Sequence, residues 1–254
     1  MKFKTIMKKT GHKIIITGAT RGIGRSLMAR FHGIGNQIVA VARNKELLEK
    51  LAEEFEGISC VACDLSKTGE VQELIKNLQQ NHSDSNILIN NAGIQVGFTN
   101  GERFSDKAER LSEIADEIQV NFSSPITLSQ QLIPLLLQNS NPVLVNVSSA
   151  LAFVPKKSAP VYCATKAGLH NFTKALRYQY EGTALKIFEI IPPLIKTDMT
   201  KGRWGNAPTP DDLTDQFLKA FEKDQYEVNI GVAGKLRLLH RIFPRRAENK
   251  LKHS

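Results

Sequence analysis

Cysteine is scarce in this chain of 254 residues: Cys60, Cys63 and Cys163 are odd in number and too few for a disulfide scaffold, so a reducing, cytoplasmic setting is expected. Long apolar runs are missing as well, and none approaches the roughly 18 residues of a membrane-spanning helix. Met1 to Lys13 is basic, but it leads into a short strand-like run, Ile14–Thr17, and then glycine, which is no signal-peptide core. Repeats, low-complexity tracts and Gly/Ser/Pro linkers are absent, so nothing divides the chain. The six histidines show no ligand spacing, and no metal is expected. Disordered, collagenous, secreted and integral-membrane classes are thereby excluded.

Apolar residues make up 41% and charged residues 23%, enough for a sizeable core. The net charge of +9 sits at the ends. Residues 1–13 hold five lysines and no acid, residues 235–254 carry +6, and the remainder stands at −2. Such ends can touch anionic surfaces or simply stay solvated. A basic groove interleaved with aromatics is lacking, so nucleic acid is not an expected partner.

Short β-rich runs alternate with helical stretches throughout. Strands are expected over Lys13–Thr17, Gln37–Ala42, Ile58–Ala62, Asn86–Asn90, Val143–Ser148, Lys186–Ile191 and Glu227–Ile230, all dense in Ile, Val and Leu as strands covered on both faces should be. Helices are expected over Lys45–Phe55, Glu70–Gln79, Leu111–Leu137 and Val161–Tyr180. Strict alternation implies right-handed crossovers, hence a doubly wound parallel α/β sheet with helices on both faces. Residues 1–234 form the expected single domain, and 235–254 a basic C-terminal tail. Two excursions, residues 94–110 and the Pro-rich 192–212, follow strands and so fall on the ligand-binding side of such a sheet. Leu151, Phe153, Val154, Leu194, Met199 and Trp204 suggest a largely apolar pocket, with the second excursion as its lid.

The first strand runs into Gly18-Ala19-Thr20-Arg21-Gly22-Ile23-Gly24 and then a helix, a place where glycines let backbone approach a pyrophosphate. Glycines also serve plain turns, so the cluster is informative chiefly by position. Tyr162 and Lys166 stand four apart on a helix, side by side on one face. An adjacent cation should lower the tyrosine pKa toward the range useful for proton transfer. Ser149 follows the strand Val143–Ser148, where a carbonyl oxygen could be hydrogen-bonded. Each feature alone has a plain reading: helix surface for the pair, a turn cap for the serine. Cys60-x-x-Cys63 falls in a strand, where a separation of three points side chains to opposite faces, which argues against a redox or metal pair.

Taken together, the glycine motif, Asn90-Asn91-Ala92-Gly93, Asn121, Ser149, Tyr162 and Lys166 resemble the short-chain dehydrogenase/reductases in order and spacing, from about residue 12 to 232. Ile89–Gln95, Asn146–Pro155, Pro160–Gly168 and Ile191–Thr200 are most like a bacterial branch whose label associates it with D-alanine transfer to teichoic acid, a label that defines no substrate. The resemblance implies a Rossmann-type oxidoreductase interconverting a carbonyl and an alcohol, commonly a homodimer or homotetramer packed through long helices. It assigns Tyr162 as general acid, Ser149 as hydrogen-bond donor to the reacting oxygen, Lys166 as the residue that tunes Tyr162 and binds ribose, and Asn121 as holder of a relay water. The plain alternative for Asn121 is a cap or kink beside Pro125. Asn91, Ala92, Gly93, Pro192 and Thr197 would face the nicotinamide half, and Asp64 with Leu65 the adenine. Pro193 departs from the usual glycine, and Ala152 replaces another.

Cofactor choice follows from charge. NAD sites place an acid about 20 residues past the glycines, yet none occurs between Gly24 and Glu46. Arg43, with Arg21, could instead pair with a 2′-phosphate, so NADP(H) is expected. The competing class is a catalytically idle NADP-binding sensor or partner-binding module on the same fold. In the tail, Leu236, Leu239 and Phe243 fall at helical spacing among Lys235, Arg237, Arg241, Arg245 and Arg246. That stripe could lie on an anionic membrane surface, or cover the protein's own core or a subunit interface.

Overall fold

The computed structural model describes residues 8–98 and 102–252. The first lysines of the basic N-terminus, residues 99–101 of the first excursion and the last two residues lie outside them. Seven strands form one parallel sheet in the order β3-β2-β1-β4-β5-β6-β7: β1 (Lys13–Thr17), β2 (Gln37–Ala42), β3 (Ser59–Ala62), β4 (Ile87–Asn90), β5 (Val143–Val147), β6 (Lys186–Ile191) and β7 (Glu227–Asn229). Each agrees with its sequence expectation to within one residue at either end.

The strands are apolar throughout because both faces are covered. Ile14 and Ile16 turn to one side, against α1 (Gly22–Gly33), α2 (Lys45–Glu54) and α7 (Pro210–Glu222). Ile15 turns to the other, against α3 (Thr68–Asn81) and α5 (Ser124–Leu137). On the first side Phe31, Phe188, Phe217 and Phe221 are fully buried and meet edge-to-face or tilted, with ring centroids 5.1–6.4 Å apart. Cys60 is exposed while Cys63 is buried, on opposite sides as a strand separation of three requires, and both are free thiols.

The long helical stretch expected over Leu111–Leu137 is unbroken but not uniform. It comprises α4 (Leu111–Ile118), a π-helical turn at Gln119–Ser123, and α5. Pro125 follows the π turn directly and offers no N–H to the carbonyls of the preceding turn, yet the helical stretch runs on through it. α6 (Pro160–Gln179) follows the 3₁₀ turn Ala150–Ala152 after β5.

Beyond residue 232 the expected tail is helical: α8 (Ala233–Ile242) and α9 (Pro244–Leu251). Leu236 packs on Ala150, Ile191 and Ala233, and Ala247 is fully buried. Arg237 pairs with Glu227 on β7 and its guanidinium lies 4.7 Å from the Phe153 ring centroid. Leu238, Ile242 and Phe243 stay exposed. Of the stripe, Leu236 thus covers the protein's own core. Among the described residues, no helix is long and apolar enough to cross a membrane.

Candidate functional site

The strand order reverses between β1 and β4, which opens a crevice at the carboxyl ends of the sheet. β1 delivers the glycine turn. Gly18 and Gly22 have φ of +68° and +54°, conformations that side chains resist. A Cβ on Gly18 would stand 2.9 Å from the Ala92 Cα, and one on Gly24 only 2.1 Å from the Gly18 carbonyl oxygen. The turn is therefore packed directly on the end of β4. Thr17 and Asn91 lock this junction: the Thr17 hydroxyl accepts from the Asn91 and Ala92 N–H groups, and the Asn91 amide donates to the Thr17 and Gly18 carbonyls.

The turn ends at the N-terminus of α1, whose first turn holds no acid and has no side-chain cap. Arg21 precedes it, exposed, while Thr20 and Ile23 are half-buried at the turn. Free N–H groups, absent negative charge and bare backbone fit a pyrophosphate. Arg43, ending β2, is largely exposed, and its nearest carboxylate is Asp64 beyond β3, 3.9 Å away. Leu65 is buried, its carbonyl accepting from Ser124. These residues could hold the adenosine half of a dinucleotide, with Arg43 free to meet a phosphate.

On the other side of the crevice, Ser149 is extended beyond β5 and caps the 3₁₀ turn by accepting from the Leu151 N–H at 3.1 Å. Its side chain lowers the Tyr162 pKa, so the two hydroxyls act on one another. One turn along α6, Lys166 is buried, donates to the Val147 carbonyl at 2.9 Å and stands 5.6 Å from the Tyr162 ring centroid. The spacing of four does bring the phenol and ammonium together. The expected drop in the Tyr162 pKa does not follow: burial pushes it up to about 12, against the hydrogen bond from Ser149. Lys166 is itself pushed down to about 8 by burial. In this geometry desolvation outweighs the nearby cation, and Tyr162 is held as a protonated phenol.

Asn121 lies in the π turn and is fully buried. Such turns recur at functional sites because the extra residue re-aims side chains. Here the Asn121 amide brackets Ile94, accepting from its N–H at 2.9 Å and donating to its carbonyl at 2.8 Å. The side chain is a clamp on the loop after β4 and not a helix cap. Gly93 lies between the clamp and Lys166: a Cβ there would come within 3.3 Å of the Asn121 Oδ1 and 3.6 Å of the Lys166 Nζ.

Past β6, Pro192 is buried and accepts from the Ala150 N–H, tying this segment to the serine loop. Thr197 approaches Gly22, and its carbonyl accepts from the Trp204 indole N–H at 3.1 Å. Leu194, Met199 and Trp204, on the segment after β6, are exposed. Val154 is not pocket wall as expected, since it is completely buried, and Phe153 is sandwiched by His170 and Arg237. Beneath the serine loop, Ser148 and His170 hydrogen-bond Glu189, fully buried on β6, and Arg177 pairs with both Glu189 and Glu227.

Sequence reading missed Glu117. This acid is completely buried, and its Oε1 accepts from the Val96 N–H at 3.2 Å. Its position four residues before Asn121 on a helix was a usable signal, because that spacing shares a face. Among the described residues no His/Cys/Asp/Glu cluster could hold a metal.

A family model described as short chain dehydrogenase matches residues 12–207. The chain belongs to this family. An uncharacterized oxidoreductase of Bacillus subtilis, DltE, is 34% identical over 195 residues, covering 77% of this chain and 76% of its own. The chain therefore resembles the DltE branch of the short-chain dehydrogenases. Among solved structures, a short chain dehydrogenase from Burkholderia cenocepacia in complex with NADP superposes with a TM-score of 0.83 at 23% identity, covering 96% of this chain and 99% of that one. A Burkholderia phymatum short chain dehydrogenase/reductase in complex with NAD gives 0.80 at 18% identity, over 95% and 97%. At these identities the likeness is one of fold.

Proposed function

We propose that the chain is an NADP(H)-dependent oxidoreductase that interconverts a carbonyl and an alcohol on a small molecule, with Ser149, Tyr162, Lys166 and Asn121 as its proton-transfer set. What carries the reading is the grouping of Tyr162 with Ser149, whose side chain acts on the phenol, and with Lys166, buried one turn along α6 and 5.6 Å from the Tyr162 ring centroid. The cofactor supplies the hydride when bound. Gly18, Thr20, Arg21, Gly22, Ile23 and Gly24 hold its pyrophosphate end. Arg43 takes the 2′-phosphate, Asp64 and Leu65 border the adenine, and Asn91, Ala92, Gly93, Pro192, Thr197 and Lys166 position the nicotinamide half. Tyr162 gives its proton to the carbonyl oxygen, and Ser149 hydrogen-bonds the same oxygen as charge develops there. Asn121 keeps the loop after β4 in place across the site. Burial keeps Tyr162 protonated, the form that a general acid needs for carbonyl reduction. A panel of aldehydes and ketones, followed by NADPH oxidation, tests the reading. Tight NADPH binding with no turnover on any of them would favour an idle sensor instead.

Cofactor preference is open to direct measurement. Arg43→Ala should weaken NADPH about tenfold, the low end for one charge-assisted contact because the guanidinium is exposed. NADH affinity should hardly change. Equal losses in fluorescence titrations with both cofactors would remove Arg43 from the 2′-phosphate.

We further propose that residues 1–234 form the catalytic unit, that subunits pair as homodimers or homotetramers through the long helices, and that residues 235–254 serve the fold and not a lipid surface. Deleting 235–254 strips Leu236 from its cluster and leaves Glu227 without Arg237. The truncated protein should melt several degrees lower, as a loss of about 2 kcal/mol implies for a chain of this size, while full-length protein should not co-sediment with anionic vesicles. Vesicle binding by full-length protein that truncation abolishes, at unchanged melting temperature, would assign the tail to a membrane.

A further inference from the structure

Glu117 and Glu189 are the two fully buried acids of the described residues, and their surroundings differ sharply. Glu189 is met by Arg177, His170 and Ser148. Glu117 has no ion pair at bonding distance, and only one of its oxygens has a partner, the Val96 N–H. Its Oε2 is buried with no hydrogen-bond partner among the described residues. An isolated buried carboxylate is costly unless a charge or polar group offsets it. The positive charge that acts on Glu117 is Lys166.

The placement gives this acid a purpose. Glu117 stands one turn before Asn121, and the two side chains grip the same loop two residues apart, at Val96 and Ile94. Gly93, just before that grip, separates Asn121 from Lys166 by little more than a side chain's width. Tyr162, Cys163 and Lys166, all on α6, feel the Glu117 charge. The loop Asn91–Phe98 offers no ionisable side chain. On the near side, Arg110 pairs with Glu113 and Asp116 with Lys67 toward the surface.

Building on the reading above, we propose that Glu117 is a positioning residue for proton transfer: its carboxylate is the buried counter-charge that keeps Lys166 cationic behind Tyr162, while its second role is to pin Val96 at the wall of the site. Burial pushes Glu117 up to about 7 and Lys166 down to about 8. Each charge holds the other in its ionised form, and burial works against both. Removing the carboxylate therefore lets Lys166 lose its proton at lower pH. A neutral lysine no longer supplies the positive field that steadies negative charge developing on Tyr162 as its proton leaves.

The test uses the full chain with ¹³C at the lysine Cε, the Lys166 signal being assigned by its loss in Lys166→Arg. Glu117→Gln keeps the acceptor for Val96 but not the charge. Lys166 should then titrate at least about half a unit lower than in the wild type, threefold in the ratio of charged to neutral amine. Glu117→Asp should restore the wild-type titration. In the wild type itself, the Lys166 signal should carry a second inflection from Glu117, a readout that stands even if the glutamine variant does not fold. Lys166 titrating at the same or higher pH in Glu117→Gln, or a wild-type signal blind to Glu117, overturns the proposal. Rates should follow, with the loss in Glu117→Gln about threefold larger at pH 9 than at pH 6, whereas a packing defect would lower both alike. A wild type that reduces no carbonyl while the Lys166 shift appears would sink the oxidoreductase reading and leave the counter-charge standing. Turnover with an indifferent Lys166 would do the reverse.

Discussion

Tyr162→Phe should slow carbonyl reduction by roughly 10³–10⁴-fold, the upper range for a positioned general acid, and leave NADPH affinity within about twofold of wild type. The ring is half-buried on α6, and phenylalanine fills the same space, so what is lost is one hydroxyl. That hydroxyl is held protonated by burial, its proton ready to be given to an oxygen as hydride arrives. Ser149 would then face the substrate alone, as a hydrogen-bond donor whose ordinary hydroxyl is far too weak an acid to replace a phenol. Ser149→Ala should therefore cost less, about 10²-fold, because Tyr162 can still deliver the proton. Single-turnover oxidation of bound NADPH separates chemistry from release, and fluorescence titration reports binding. A phenylalanine variant that keeps wild-type rates on a substrate the native protein reduces would dismiss Tyr162 as the acid.

The fold was readable because a parallel sheet covered on both faces writes its strands as unbroken Ile/Val/Leu runs, and Ile14–Ile16 or Val143–Val147 can hardly be anything else. Spacing also brought Tyr162 next to Lys166, since residues four apart on a helix must be neighbours. What spacing cannot convey is desolvation. The sign of the Tyr162 shift depends on how β5, α4 and α6 close around it, which is a property of long-range packing. The π turn at Asn121 was invisible for a related reason. One inserted residue barely alters an apolar period, so the segment read as one helical stretch over Leu111–Leu137. Val154 was misplaced because an apolar residue in a loop beside a site can point either way, and here it points inward. Glu117 carried a signal only in its spacing from Asn121, and a lone acid on a helix otherwise reads as solvent-facing.

Gly24→Ala should abolish cofactor binding and cost about 3 kcal/mol of stability, at the severe end for overpacking, or a melting temperature about 10 °C lower. The added methyl would stand 2.1 Å from the Gly18 carbonyl oxygen, 2.9 Å from its carbon and 2.4 Å from the Asn91 Nδ2. Backbone cannot swing aside as a side chain can. Either α1 retreats from the turn, or Asn91 lets go of the Thr17 and Gly18 carbonyls that it bridges. Both outcomes open the junction between β1 and β4, the place where the crevice begins. The pyrophosphate would lose the close backbone approach that the turn provides, so NADPH and NADH should suffer alike, unlike the selective loss expected for Arg43→Ala. Gly69→Ala is the control, in the first turn of α3, where an added Cβ meets nothing within 4 Å. There the substitution should be neutral or stabilise by up to about 1 kcal/mol, since alanine loses less entropy in a helix. Thermal melts of the two variants, with titrations of both cofactors, separate a general glycine effect from the collision at this turn. Full cofactor affinity in Gly24→Ala would mean that the glycine turn is not where the dinucleotide binds.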